Sequence, residues 1–192
     1  YLGVAALILL LFSESIKADS ANSWTDRVEV KADVRLRYEI LEQELKRYRE
    51  RFRFRARLNF TMAVNDDIDI VLQLASGSDD PVSTNQTFTH AFSTKSIGID
   101  LAYIDWHPAT VEGFHAYGGK MKNPFYMPAN TELLWDSDLN PEGAALAFSR
   151  KFSYVEIFSV VSAFSIEERS KANEAGLVGG QMGFKLKFLE YF

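Results

Sequence analysis

The sequence predicts an all-β fold, an antiparallel transmembrane β-barrel with about eight strands present. Three observations carry this: apolar and polar residues alternate with a period of two over unusually long segments, short and long connections follow one another in turn, and the chain opens on an apolar run. Composition narrows the choice. The 192 residues carry 21 Lys+Arg against 26 Asp+Glu, a net charge of -5, which speaks against a general nucleic-acid partner. Cysteine is absent, so disulfide scaffolds, thiolate metal sites and Cys nucleophiles are excluded. A mean hydropathy of -0.12 excludes a bundle of membrane-spanning helices.

Leu2 to Phe12 are all apolar or Gly and lead into Ser13, Glu14 and Ser15. That run is too short for a helix crossing a ~30 Å hydrocarbon layer, but it suits the core of an export signal. Residues 1–18 are therefore expected to be a partial signal peptide, 19–27 a periplasmic segment, and 28–192 the barrel domain, truncated at its C-terminus. The location this implies is the bacterial outer membrane, with its lipid as the surrounding partner.

In the first strand Val28, Val30, Ala32, Val34, Leu36, Tyr38 and Ile40 alternate with Glu29, Lys31, Asp33, Arg35, Arg37 and Glu39. A helix would scatter both sets; a strand puts each on one face. The second repeats the pattern with Phe52, Phe54, Ala56, Leu58, Phe60, Met62 and Val64 against Arg51, Arg53, Arg55, Arg57, Asn59 and Thr61. At about 13 residues each, these segments exceed the ordinary globular strand and reach across a membrane even when tilted. A soluble β-sandwich also alternates, but with shorter strands.

Asn65 to Asp67 link tightly into Ile68, Ile70, Leu72 and Leu74, the third strand. Ser76 to Thr94 is a long polar connection, and Ile97, Ile99, Leu101 and Tyr103 share one face of the fourth. His107 to Gly113 turns into Phe114 to Met121, which Gly118 and Gly119 weaken. Lys122 to Gly143 is long again, then come Ala144 to Ser149, a short turn at Arg150 to Ser153, and Val155 to Phe164. The polar loop Ile166 to Gly176 leads to Val178, Gly180, Met182, Phe184, Leu186 and Phe188 on the eighth. Leu41 to Glu50 is then the first outer loop.

The strings RERFRFRARLNF, ASGSDDPVSTNQTF, IDLAYIDWHP, GGKMKNPFY and WDSDLNPEGAAL resemble the bacterial outer-membrane family described as "putative porin". That family is similar to the broader group that includes the phosphate-selective porins O and P. The resemblance implies passive diffusion of small hydrophilic solutes or ions, assembly as a homotrimer and no cofactor. It also implies a whole barrel of about 16 strands, of which this chain is the N-terminal portion. A complete eight-stranded barrel with a structural or adhesion role is the alternative; side chains would nearly fill its lumen.

The pore-lining candidates are Asp33, Arg35, Arg37, Arg51, Arg53, Arg55, Arg57, Asp69, Gln73, Lys185 and Lys187. Arg51, Arg53, Arg55 and Arg57 form a row of cations that would favour anions if unpaired. With carboxylates in excess by five, the expectation is a cross-strand mesh with Glu29, Asp33, Glu39 and Asp69, and weak selectivity. Asp136, Asp138, Asn140 and Glu142 have acidic spacing, but Pro141 takes the place of the Gly a calcium loop needs, so a structured loop is expected. His90, His107 and His115 are too scattered for a metal site, and Ser149 and Ser153 lack a base in recognisable context, so no enzyme is expected. Trp24, Trp106, Tyr103, Tyr117, Phe125 and Tyr126 fall near strand ends, as a membrane-interface girdle would.

The connection lengths predict that Asn65 to Asp67, His107 to Gly113 and Arg150 to Ser153 lie on one membrane side and the two long connections on the other. Single cysteines at Asp66 and Asp79 test this in intact cells: surface labelling is expected at Asp79 only, and labelling at Asp66 alone would reverse the topology.

Overall fold

A computed structural model describes residues 24–43, 46–77, 80–167 and 174–186. The expected signal peptide, Lys187 and the C-terminal residues after it lie outside them. The strands are β1 (Val28–Leu41), β2 (Arg49–Asn65), β3 (Ile68–Ser76), β4 (Gln86–Thr87), β5 (Ile97–Trp106), β6 (Phe114–Lys120), β7 (Glu142–Lys151), β8 (Val155–Glu167) and β9 (Ala175–Leu186). They form one antiparallel sheet in the order β1-β2-β3-β5-β6-β7-β8-β9, with β4 pairing to β2. Eight of the nine are the strands the alternation predicts, with ends moved by a few residues. The ninth, β4, sits inside the long polar connection, where two residues carry no readable period. Trp24–Arg27 and Pro128–Asn130 are short 3-10 turns.

The chain divides into two compact units. The first takes the described residues up to Phe60 together with Gln73–Asp100. Here β1 and β2 put charged side chains on one face, while Val34, Leu36, Phe52 and Leu58 are exposed on the other. Exposed apolar rows of this kind are what a lipid-facing surface requires. The register is fixed on both faces: Tyr38 packs on Phe52 at 4.8 Å between ring centroids, and Glu39 meets Arg51. Beyond the end of β3, β4 continues the ladder along β2, pairing Thr87 with Arg53 and Gln86 with Phe54. Ser76 makes the handover, its hydroxyl accepting from the Ala56 N–H at 2.8 Å and donating to the Thr84 carbonyl at 3.0 Å.

The second unit takes Thr61–Leu72 and the described residues from Leu101 onward. Asp66 and Asp67 form the two-residue turn between β2 and β3, and the Asp67 carbonyl and carboxylate accept from the His107 and Ala109 N–H groups. Met121, Ala145 and Phe164 make a small core, packed against Tyr103, Tyr117, Phe125 and Trp135. Tyr103, Tyr117 and Phe125 therefore do not form an interface girdle: they pack against this core, because residues 121–141 fold back over that face. Trp106 does stand on the exposed face, edge-on to Phe114. The carboxylate of Asp136 accepts from the Asp138 N–H at 2.8 Å, and Trp135 donates to the Leu139 carbonyl, so the acidic stretch is a structured loop.

The expected phase of β5 needs correction. Ile97 and Ile99 are exposed, then Asp100 and Leu101 are both buried, so the burial pattern slips by one residue. Asp100 causes it, accepting a hydrogen bond from buried Gln73. The glycines that weaken β6 have a steric reason. Gly119 pairs with Gly143 at positive φ, and a Cβ at Gly119 would lie 2.3 Å from the Ala102 carbonyl oxygen. At Gly118, one residue away, a Cβ meets nothing within 4 Å. Gly119→Ala should thus lower unfolding free energy by about 1–3 kcal/mol, whereas Gly118→Ala should be neutral. Urea titration of both variants in detergent checks the contrast.

Candidate functional site

Alternation puts seven guanidiniums on one face of β1 and β2: Arg49 at the start of β2 and, along the middle, Arg35, Arg37, Arg51, Arg53, Arg55 and Arg57. Two carboxylates on β1 hold most of them. Asp33 Oδ2 accepts from Arg55 and from Arg57, each at 2.6 Å. Glu39 accepts from Arg51 Nε at 2.5 Å and lies 3.1 Å from Arg37 and 3.4 Å from Arg53. Of the expected mesh only this half forms. Glu29 pairs instead with Lys31 on its own strand at 2.8 Å, and Asp69 lies against His107 at 3.3 Å in the second unit. The six central guanidiniums outnumber Asp33 and Glu39 by four charges; Lys31 and Glu29 cancel, and Arg49 adds one more positive charge to this face.

The remaining donors are met by neutral oxygens. The connection after β3 folds over the arginine face, where Arg35 donates to Asn85 Oδ1 at 2.8 Å. Arg53 donates to Ser83 Oγ at 3.1 Å and to the Asn85 carbonyl at 3.3 Å. The Gln86 amide donates to the Gly77 carbonyl and Lys95 to that of Thr87, which tie down both flanks of the segment. Among the described residues the buried Nε groups of Arg37, Arg53 and Arg55 have no hydrogen-bond partner. Such buried donors carry a desolvation cost, which the charge-assisted bonds of the same guanidiniums offset. In the adjoining loop Tyr48 donates to Glu50, which pushes its phenol up to about 12.

The other candidates fall elsewhere. Gln73 is buried between Asn59 and Asp100, part of a cross-strand network rather than an open wall. Lys185 pairs with Glu156 at 3.1 Å and lies under the Tyr126 ring at 4.4 Å. Lys187 is outside the described residues. Pairing of β5 with β6 brings His107 and His115 together, their rings 5.7 Å apart, and Asp105 holds the second at 3.0 Å. No group of metal-ligating side chains suited to an ion occurs among the described residues. Sequence reasoning missed Ser83, Asn85 and Asp100. A run of Ser, Thr and Asn in a loop signals hydrogen-bonding capacity, but not the direction in which the loop folds.

This is the surface of an all-β, antiparallel sheet protein with a cation-rich polar face and an exposed apolar one. The family model of the "Putative porin" family matches residues 40–191, and the chain belongs to that family. Among curated proteins no match is found. Membership gives a porin-like role in general, that of a channel rather than a catalyst, and points to the outer membrane.

The shared carboxylates make a testable hierarchy. Glu39→Gln strands three guanidiniums at largely buried positions and should cost about 3 kcal/mol, the scale of a broken buried pair. Glu29→Gln removes one exposed pair and should cost less than about 1 kcal/mol. Denaturant midpoints of the two variants, measured side by side in detergent, check it.

Proposed function

We propose that the protein is a passive outer-membrane channel for small hydrophilic solutes and ions, its lumen walled by the arginine face of β1 and β2. The single observation that carries this reading is the imbalance of six central guanidiniums and two carboxylates on a strand face whose reverse is apolar and exposed. A confined wall with surplus positive charge raises local anion concentration and lowers the barrier for anions. Arg51, Arg53, Arg55 and Arg57 all pair with Asp33 or Glu39, as the mesh expectation has it. Glu29 and Asp69 make their contacts elsewhere, however, so anion preference is proposed over weak selectivity. An arginine-rich wall also fits kinship with the phosphate-selective porins O and P, and a place for these strands within a larger, trimeric barrel. Segment 83–85 narrows access to the wall without cancelling its charge.

The test is the reversal potential of reconstituted channels under a salt gradient. Wild type should prefer chloride over potassium, and Arg53→Gln with Arg55→Gln should weaken that preference. Rising ionic strength should erode it as the Debye length falls from about 10 Å at 0.1 M to about 3 Å at 1 M. An unselective wild type would overturn the arginine wall; absence of any conductance would favour a closed structural barrel.

A further inference from the structure

In the second unit a cavity of about 170 Å³ opens on the face of β5–β7 over which residues 121–141 fold. Tyr103, Tyr117, Met121 and Ala147 line it from the sheet side, and Lys122, Asn123 and Pro124 from the overlying segment. At ~30 Å³ per water it holds the equivalent of about five or six waters. That is room for one substituted six-membered ring, well short of the ~300 Å³ at which drug-sized pockets begin. We propose that this cavity binds a single neutral ring polyol, one sugar unit, by ring stacking and hydroxyl hydrogen bonds.

The walls are chemically suited to that ligand. Tyr103 and Tyr117 meet edge to face, their centroids 6.0 Å apart at 76°, so one presents a π-face where the other presents an edge. His115 stacks behind Tyr117 at 5.7 Å and 12°, and Asp105 fixes the imidazole through Nδ1 at 3.0 Å. The platform is thus braced from behind. Neither phenolic hydroxyl hydrogen-bonds another described residue, so each is available both to donate and to accept. Asn123 spends its carbonyl oxygen on the Phe125 N–H at 3.0 Å and keeps its amide N–H groups. Alternating donors and acceptors match vicinal hydroxyls, whose apolar ring face suits an aromatic plane.

Charge argues for a neutral occupant. Lys122 lines the cavity and Asp105 is the direct cross-strand partner of Tyr117, so the two charges beside it offset each other and leave no net cation to compensate the desolvation of an anionic ring. The cavity is also preformed. Phe125 docks against Gly179, where a Cβ would come within 2.7 Å of the ring. Tyr126 exchanges two backbone hydrogen bonds with the Gln181 amide, and the Met121 N–H donates to the Pro141 carbonyl at 2.9 Å. The overlying segment is tethered on both sides of Lys122–Pro124, which spares the ligand the cost of ordering it. The proposal extends the channel reading, on which it depends only for the solute's route of access.

Saturation-transfer NMR on the protein in a zwitterionic, sugar-free detergent tests it, with glucose and glucuronate as probes. Glucose ring protons should receive saturation, and glucuronate should bind more weakly. Replacing both tyrosines by Phe keeps the rings and removes the hydroxyls; glucose binding should weaken about tenfold, the loss of two ordinary hydrogen bonds. Tyr117→Ala should abolish it, while Glu29→Gln, which breaks an exposed pair in the first unit, should leave it unchanged. No transfer to glucose, equal transfer in the Phe double variant, or glucuronate binding as tightly as glucose would each overturn the proposal. Liposome swelling separates the two readings: glucose binding without permeation supports this site and removes the channel, and normal ion conductance without glucose binding does the reverse.

Discussion

Six central guanidiniums on one side of two strands have to be held against their own repulsion, and the first unit is organised around that requirement. Neighbouring residues on one strand face lie about 6.6 Å apart, so each cation feels the next. Asp33 and Glu39 answer by sharing: one carboxylate oxygen serves Arg55 and Arg57, and two oxygens serve Arg37, Arg51 and Arg53. Sharing fixes the register of β1 on β2, because a slip of one residue would turn every charge toward the apolar face. It also explains the fold of the connection after β3. Carboxylates used twice or three times leave guanidinium donors over, and Ser83 and Asn85 meet two of those arginines.

The second unit covers its face by packing instead of charge. Small residues, Ala145 and Ala147 on β7 and Gly179 on β9, leave room for Met121, Phe125 and Trp135 to settle against the sheet. The paired Gly119 and Gly143 let β6 approach β5 and β7 approach β8 where a Cβ would strike the Ala102 and Ala163 carbonyl oxygens. A strand that looks weakened by glycine is held by its neighbours on both sides. What the overlying aromatic segment does not fill is the small tyrosine-lined cavity.

Much of this was legible in the sequence wherever a period carried it. The alternation from Val28 and from Arg51 gave strand identity, length and the contents of each face, since a side-chain period of two leaves little freedom. The turn at Asp66 and Asp67 was legible for a similar reason, a short polar link between two apolar runs. Pairing between charges was less so. Alternation says that Glu29 and Asp69 are polar residues on strands, but not that Lys31 sits close enough to take the first or that His107 faces the second. The slip at Asp100 was invisible, because one buried carboxylate that needs Gln73 outweighs the phase preference of Ile97 and Ile99. Tyr103 and Tyr117 resisted reading because aromatic rings suit a membrane interface and a packed face equally, and only the path of residues 121–141 decides between them.

The nature of the groups over the arginine face settles what field that face carries. An aspartate in place of Asn85 would satisfy Arg35 about as well locally, and more strongly by Coulomb attraction, about 4 kcal/mol at 4 Å and an effective dielectric constant near 20. It would also remove one of the surplus charges. An amide and a hydroxyl satisfy the donors through hydrogen bonds of ordinary strength while leaving the guanidinium charge in place. The loop therefore orders the arginine side chains without neutralising them. Ordered cations that keep their charge make this face electropositive, and the proposed anion preference rests on that property. Had the same arginines been matched one to one with carboxylates, this face would be as well ordered and electrostatically nearly blank.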